Sequence, residues 1–139
     1  TEKEPENITK RSGSELPFEI ESDLNKILMD IITNEKVYRN PEVNLPGLAE
    51  SIKIPYHQLS RFINTKYKQN FNDFINSKRV DEVKALLLSD QNKHLTIEAI
   101  GRSAGFNSKA AFYNAFKKFE NCSPSQFKKI MQKSESLLQ

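Results

Sequence analysis

Cysteine is almost absent. Cys122 stands alone among 139 residues, so no disulfide can close within the chain, and it reads as a small residue in a turn rather than a reactive thiol. The two histidines, His57 and His94, lie far apart with no cysteine cluster between them, which excludes the spacing of a structural zinc site. Only four glycines occur, without periodic turn clusters, which argues against a β-sandwich or barrel. No apolar run approaches the roughly 20 residues of a membrane helix, and no signal-peptide pattern opens the chain. A P-loop, a Gly-rich dinucleotide turn, an HExxH pair and a nucleophile elbow are all missing. The acidic residues are scattered rather than paired, so neither catalysis nor a cofactor is expected.

What is present is helical, polar and unevenly charged. Apolar residues make up 37% of the chain, enough to bury a useful core at this length. The net charge of +3 conceals a split. Residues 1–44 hold 6 Lys/Arg and 10 Asp/Glu, a balance of −4, whereas residues 45–139 hold 15 and 8, a balance of +7. A basic region behind an acidic leader suits a polyanionic partner. The first residue is Thr1, not Met, and the chain is expected to be a piece of a longer protein.

Residues 1–21 read as a polar linker or disordered leader, with Pro5, Ser12–Gly13–Ser14 and Pro17 and no hydrophobic period. Over 22–38, Leu24, Ile27, Leu28, Ile31 and Ile32 follow the stripe of a helix with one buried face, stopped by Asn40–Pro41. A short helix at about 45–52 starts at Asn44, with Pro46 in its first turn. The next, at about 55–66, turns Leu59 and Ile63 inward. A long helix at about 71–89 carries Phe71, Phe74, Ile75, Val83, Leu86 and Leu87. The short pair then recurs: Thr96 opens a helix with Ile97, Ile100 and Ala104, Gly105 breaks it, and Ser108 caps a helix with Phe112, Phe116 and Phe119 inside. A last helix opens at Ser123–Pro124. The reading is all-α, about seven helices, with two helix-turn-helix subdomains (lobes about 22–70 and 90–133) joined by a long connecting helix at about 71–89, the folded domain spanning 22–139.

A helix-turn-helix offers its second helix to the major groove and uses the first as a brace. The close crossing demands a small residue in the brace, a short turn, and a second helix apolar inside and polar outside. Ala49 meets the first demand in one unit and Gly101 in the other, where Gly105 adds a permissive turn. The outward positions give the base-contact candidates: His57, Ser60, Arg61 and Asn64 in the first unit, and Lys109, Ala110, Tyr113 and Asn114 in the second. Tyr56 also falls outside the inner stripe. The planar fork of Arg61 matches the guanine edge, and Asn114 can pair with adenine. Lys66, Lys68, Ser108, Lys117, Lys118 and Lys128 are the phosphate-contact candidates. The phenylalanine stripes read as core, and Arg79 as a structural residue tying the lobes together.

These residues carry a resemblance. "LAESIKIPYHQLSRFI", "FNDFINSKRVDEVKALLL" and "TIEAIGRSAGFNSKAAFYNAFKKFENCSPSQFKK" resemble the AraC/XylS-type transcription regulators over roughly 45–130, most specifically in "AGFNSKAAFYNAFKK" followed by "SPSQF". The resemblance implies a bilobal DNA-binding domain that puts two recognition helices into successive major-groove turns. It usually lies C-terminal to a sensor or dimerisation region. The partners it implies are double-stranded DNA, RNA polymerase as a candidate, and an upstream region of the same protein, with no metal. The compartment implied is the cytoplasm, where a bacterial chromosome lies, with membrane anchoring through an upstream segment left open. The family often has Gly where Lys53, Lys68 and Asn121 stand, Ser where Pro55 stands and Arg where Asn114 stands. Asn tolerates a left-handed backbone better than Lys. The competing reading is a helix-turn-helix module used for protein–protein interaction, which would expose Leu, Met or aromatic clusters on the outer faces.

Overall fold

A computed structural model describes residues 18–138, with seven α-helices, two short 3-10 turns and no strand among the described residues. The predicted leader falls largely on residues 1–17, outside the described residues. The helices are α1 (Phe18–Thr33), α2 (Leu45–Ser51), α3 (Tyr56–Tyr67), α4 (Phe71–Leu88), α5 (Ile97–Ser103), α6 (Lys109–Glu120) and α7 (Pro124–Leu138), with 3-10 turns at Val37–Arg39 and Asp90–Asn92. The all-α fold with paired short helices is as the sequence led one to expect. The chain forms two compact units: within the described residues, one holds 18–36 and 44–70, the other 37–43 and 71–138.

In the first unit, α1 buries Leu24, Leu28, Ile31 and Ile32. Ile27, expected in that stripe, is exposed. The helix starts four residues before the sequence suggested and stops at Thr33, where Lys36 turns the backbone left-handed at φ 50°. α2 is capped by Asn44, whose side chain accepts the Gly47 N–H at 2.8 Å, an arrangement worth about 1 kcal/mol. α2 and α3 pack on each other, burying Leu48 and Ala49 on one side and Leu59, Phe62 and Ile63 on the other. The Tyr67 hydroxyl donates to Asn25, linking α3 to α1.

The second unit is built on α4. Val80, Val83 and Leu87 meet Ile100, Ala104, Phe106, Phe112, Ala115 and Phe116 in one cluster, with Phe127 of α7 against it. Phe112 stacks on Phe106 at 5.2 Å, and Phe127 sits edge-on to Phe116 at 5.6 Å. Each of the buried rings, Phe106, Phe112 and Phe116, contributes about 1.5–3 kcal/mol.

Segment 37–43 belongs to this unit, although the sequence assigned it to the first lobe. The reason is long-range. Buried Glu82 accepts from the Tyr38 hydroxyl at 2.5 Å and from Arg39 Nε at 2.6 Å. Arg79 Nε donates to the Tyr38 carbonyl at 2.7 Å, and its Nη2 to the Asn40 carbonyl at 3.0 Å. Arg79 also lies over the Phe106 ring, 5.6 Å from its centre. Its structural role is thus within one unit. Burial, the Glu82 hydrogen bond and the Glu82 charge all push the Tyr38 hydroxyl well above its ordinary pKa.

Candidate nucleic-acid interface

Each unit contains a brace helix, a turn and an exposed second helix, built by different local means. In the first, Ala49 is the small buried residue of the brace α2. The turn passes through Lys53 at φ 63°, and Pro55 precedes α3 without a side-chain cap. In the second, the brace is α5. A Cβ on Gly101 would lie 2.4 Å from the Phe112 ring, so only glycine lets α5 approach α6 this closely. Gly105 turns at φ +116°, where a Cβ would lie 2.2 Å from the Tyr38 carbonyl oxygen. Ser108 then caps α6, accepting from Ala111 N–H at 3.0 Å.

Both second helices split cleanly into faces. On α3, Leu59, Phe62 and Ile63 are buried, while His57, Arg61, Asn64 and Lys66 are exposed and Ser60 is half-buried. Beyond the helix, Lys68 is exposed in a left-handed conformation at φ 55°. On α6, Phe112, Ala115 and Phe116 are buried, while Lys109, Ala110, Asn114, Lys117 and Lys118 are exposed and Tyr113 is half-buried. Ser108 is exposed at the N-terminus of α6, and Lys128 on α7 is half-buried. α3 has no acidic residue. The single acidic residue of α6, Glu120, is held by Lys84 at 2.9 Å.

The outward side chains differ in their freedom. Among the described residues, Arg61, His57 and Lys117 make no hydrogen bond or ion pair, and His57 only meets Tyr56 edge-on at 6.0 Å. Asn64 makes one long contact to Ser60, 3.5 Å. Lys118 instead donates to both carboxylate oxygens of Asp73, at 2.9 and 2.8 Å. Lys109 lies 3.8 Å from Glu98 and over the Tyr113 ring at 5.5 Å. Tyr113 donates to Glu98 at 3.2 Å.

One outward residue was read but left out of the contact candidates, and a second feature escaped the sequence reading. Tyr56 is 57% exposed at the start of α3, beside His57, and was not among the contact candidates. Arg102 is exposed and, with Glu98, Ser108 and Lys109, lines a small cleft at the start of α6. Its position on the outer side of a brace helix could have been read from the i, i+4 spacing to Glu98.

An all-α chain with two helix-turn-helix units, each presenting a polar second helix, is a tandem helix-turn-helix domain. The pattern of the family described as "Helix-turn-helix domain" matches residues 48–130. The chain belongs to this family, in its AraC-type branch of DNA-binding transcription regulators. It is 31% identical over 90 residues to the melibiose operon regulatory protein of Escherichia coli K12, a match covering 65% of this chain and 29% of that relative. The chain thus spans under a third of the curated relative. Among solved structures it is similar to the C-terminal domain of the two-component response regulator yesN from Fusobacterium nucleatum, with TM-score 0.65, 25% identity, and coverage of 76% of this chain and 98% of that one. It is also similar to the C-terminal domain of AraT, a response regulator from Geobacillus stearothermophilus, with TM-score 0.61, 26% identity, and coverage of 68% and 76%.

Proposed function

We propose that this chain binds double-stranded DNA sequence-specifically, with helices 55–66 and 108–120 entering successive major-groove turns as the reading elements of a bacterial transcription regulator. The observation that carries the proposal is the exposed, acid-free outer stripe of α3, where Arg61 has no partner among the described residues. An unpaired guanidinium on the outside of the second helix is the group best suited to grip guanine O6 and N7 in two parallel bonds. His57, Ser60 and Asn64 complete the reading surface of α3, and Lys109, Ala110, Tyr113 and Asn114 form that of α6. Lys66, Lys68, Ser108, Lys117 and Lys128 hold phosphates. Lys118 does so only in competition with Asp73. The first reader, α3, lies in the unit holding 44–70, and the second, α6, in the unit that also holds 37–43 and the long helix α4. RNA polymerase and an upstream sensor region are the partners of the longer protein.

The test is selection from a random-duplex pool, followed by affinities at two salt concentrations. A two-part motif and a steep salt slope are expected. Arg61→Ala should then cost about 1–3 kcal/mol and relax preference in one half of the site. Equal loss on every sequence would make Arg61 a phosphate contact instead.

A further inference from the structure

We propose that Glu98 is a positioning residue that sets the specificity of the second unit: it holds Lys109 and Tyr113 in place and cancels local positive charge, so that α6 reads bases while adding little attraction for arbitrary DNA. The inference rests on the DNA-binding reading above.

Glu98 lies in the first turn of the brace helix α5, where a carboxylate also gains from the helix N-terminus. Its carboxylate accepts from the Tyr113 hydroxyl at 3.2 Å and lies 3.8 Å from Lys109 Nζ. Lys109 in turn covers the Tyr113 ring at 5.5 Å. Three groups of the outer surface are therefore coupled: one acid, one base and one aromatic. The side chains of Lys109 and Glu98 are 68% and 45% exposed, so the pair adds little to stability. It does sit beside Ser108 and Arg102 in the cleft at the start of α6, where a phosphate would otherwise find an unopposed lysine. A phosphate taking Lys109 must displace Glu98, whereas a base edge reached by Asn114 need not. Nonspecific binding is mostly phosphate contact and counterion release. A carboxylate that opposes it weakens binding to all sequences and leaves discrimination to base edges.

The measurement is the salt dependence of binding to the selected duplex and to a scrambled one, for the wild-type chain, Glu98→Gln, Lys109→Gln and the double variant. Glu98→Gln should steepen the slope on scrambled DNA by about one unit and tighten that binding about threefold to fourfold at low salt, while the preference for the selected duplex falls. Lys109→Gln should flatten the slope more in the Glu98→Gln background than in wild type. A second readout needs no DNA. Burial first, and then the Glu98 charge and hydrogen bond, raise the Tyr113 hydroxyl pKa, so its resonances in Glu98→Gln should titrate at lower pH than in wild type. Identical slopes for Glu98→Gln and wild type, or unchanged Tyr113 titration, overturn the inference while DNA reading stands. A folded wild-type chain that binds no duplex removes the functional reading and this inference with it.

Discussion

The two units solve one geometric problem with different chemistry. In the second, the brace crosses at Gly101, the turn bends at Gly105, Ser108 caps the second helix α6, and segment 37–43 is clamped by Glu82 and Arg79. The first has Ala49, Lys53 and Pro55 at the corresponding places, with a non-glycine left-handed turn and no side-chain cap. Their outer faces differ in a parallel way. Arg61 and His57 are unpaired among the described residues, whereas Lys109, Tyr113 and Lys118 each have an acidic neighbour. A reader with free side chains pays their ordering cost on binding, and one with tethered side chains is preorganised but must exchange partners. On the DNA-binding function proposed above, the first unit would make adaptable contacts and the second would present fixed ones.

The largest expected effect tests that contrast in the turns. Gly105→Ala places a Cβ 2.2 Å from the Tyr38 carbonyl oxygen and 2.7 Å from Arg79 Nε, at φ +116°. Overpacking and backbone strain together should cost about 3–5 kcal/mol in urea unfolding. Lys53→Ala, at the corresponding turn, keeps a Cβ where one already stands and should change stability by less than about 0.5 kcal/mol. Comparable losses would mean that the two turns bear similar strain.

Next in size is the Glu82 clamp. Glu82→Gln leaves Arg39 and Tyr38 without their charged acceptor, a loss of about 1.5–3 kcal/mol. The pH dependence follows from Tyr38, whose hydroxyl pKa is raised by burial and then by the Glu82 hydrogen bond and charge. A proton held more tightly in the folded chain than in the unfolded one stabilises the fold fully below the ordinary tyrosine value of 10.0 and progressively less above it. Wild type should therefore lose stability as pH rises past that value. The gap between wild type and Glu82→Gln should narrow there, because the variant lacks two of the causes that raise Tyr38. A gap constant with pH would show that Glu82 does not govern Tyr38.

The same clamp marks where the sequence was readable and where it was not. Local signals were plain. The i, i+3, i+4 stripes placed α2 to α7 within a few residues. Asn44, Thr96 and Ser108 accept the helix-start N–H groups that their positions promised. The demand for a small brace residue picked out Ala49 and Gly101 before any contact was visible. The split of α3 and α6 into buried and exposed faces was also legible, because it is a matter of period alone. What failed was long-range. The end of α1 at Thr33 and the transfer of 37–43 to the second unit depend on Tyr38 and Arg39 finding Glu82, 44 and 43 residues away. No periodicity encodes that distance, and a charged residue on a helix reads by default as solvent-facing. Arg79 was read as structural, but as a tie between the lobes, whereas its partners Tyr38, Asn40 and Phe106 all lie in its own unit. The tethering of Lys118 by Asp73 was equally invisible, since the two lie 45 residues apart.

A smaller effect concerns the helix ends. Lys68 and Asn121 close α3 and α6 in the left-handed region, at φ 55° and 62°, and only Asn has a side chain that eases that conformation. Lys68→Gly should raise stability by about 1 kcal/mol. Asn121→Gly should gain less, and equal gains in thermal unfolding would erase this difference between the units.

The finest distinction is between neighbours on α6. Lys117 is exposed with no partner among the described residues, while Lys118 donates to both oxygens of Asp73 and lies over the Phe119 ring at 5.8 Å. A free lysine near a phosphate releases a counterion on binding. One already neutralised by a carboxylate gives up that partner first, and the exchange yields little net release. Lys117→Ala should therefore flatten the salt slope by about one unit, and Lys118→Ala by much less. Asp73→Asn supplies the control: with Lys118 freed, the slope should steepen, and Lys118→Ala in that background should then flatten it as Lys117→Ala does in wild type. If Lys118→Ala in the wild-type chain already matches Lys117→Ala, the Asp73 pair opens at no cost on DNA, and tethering in the second unit orders its side chains without restraining its charge.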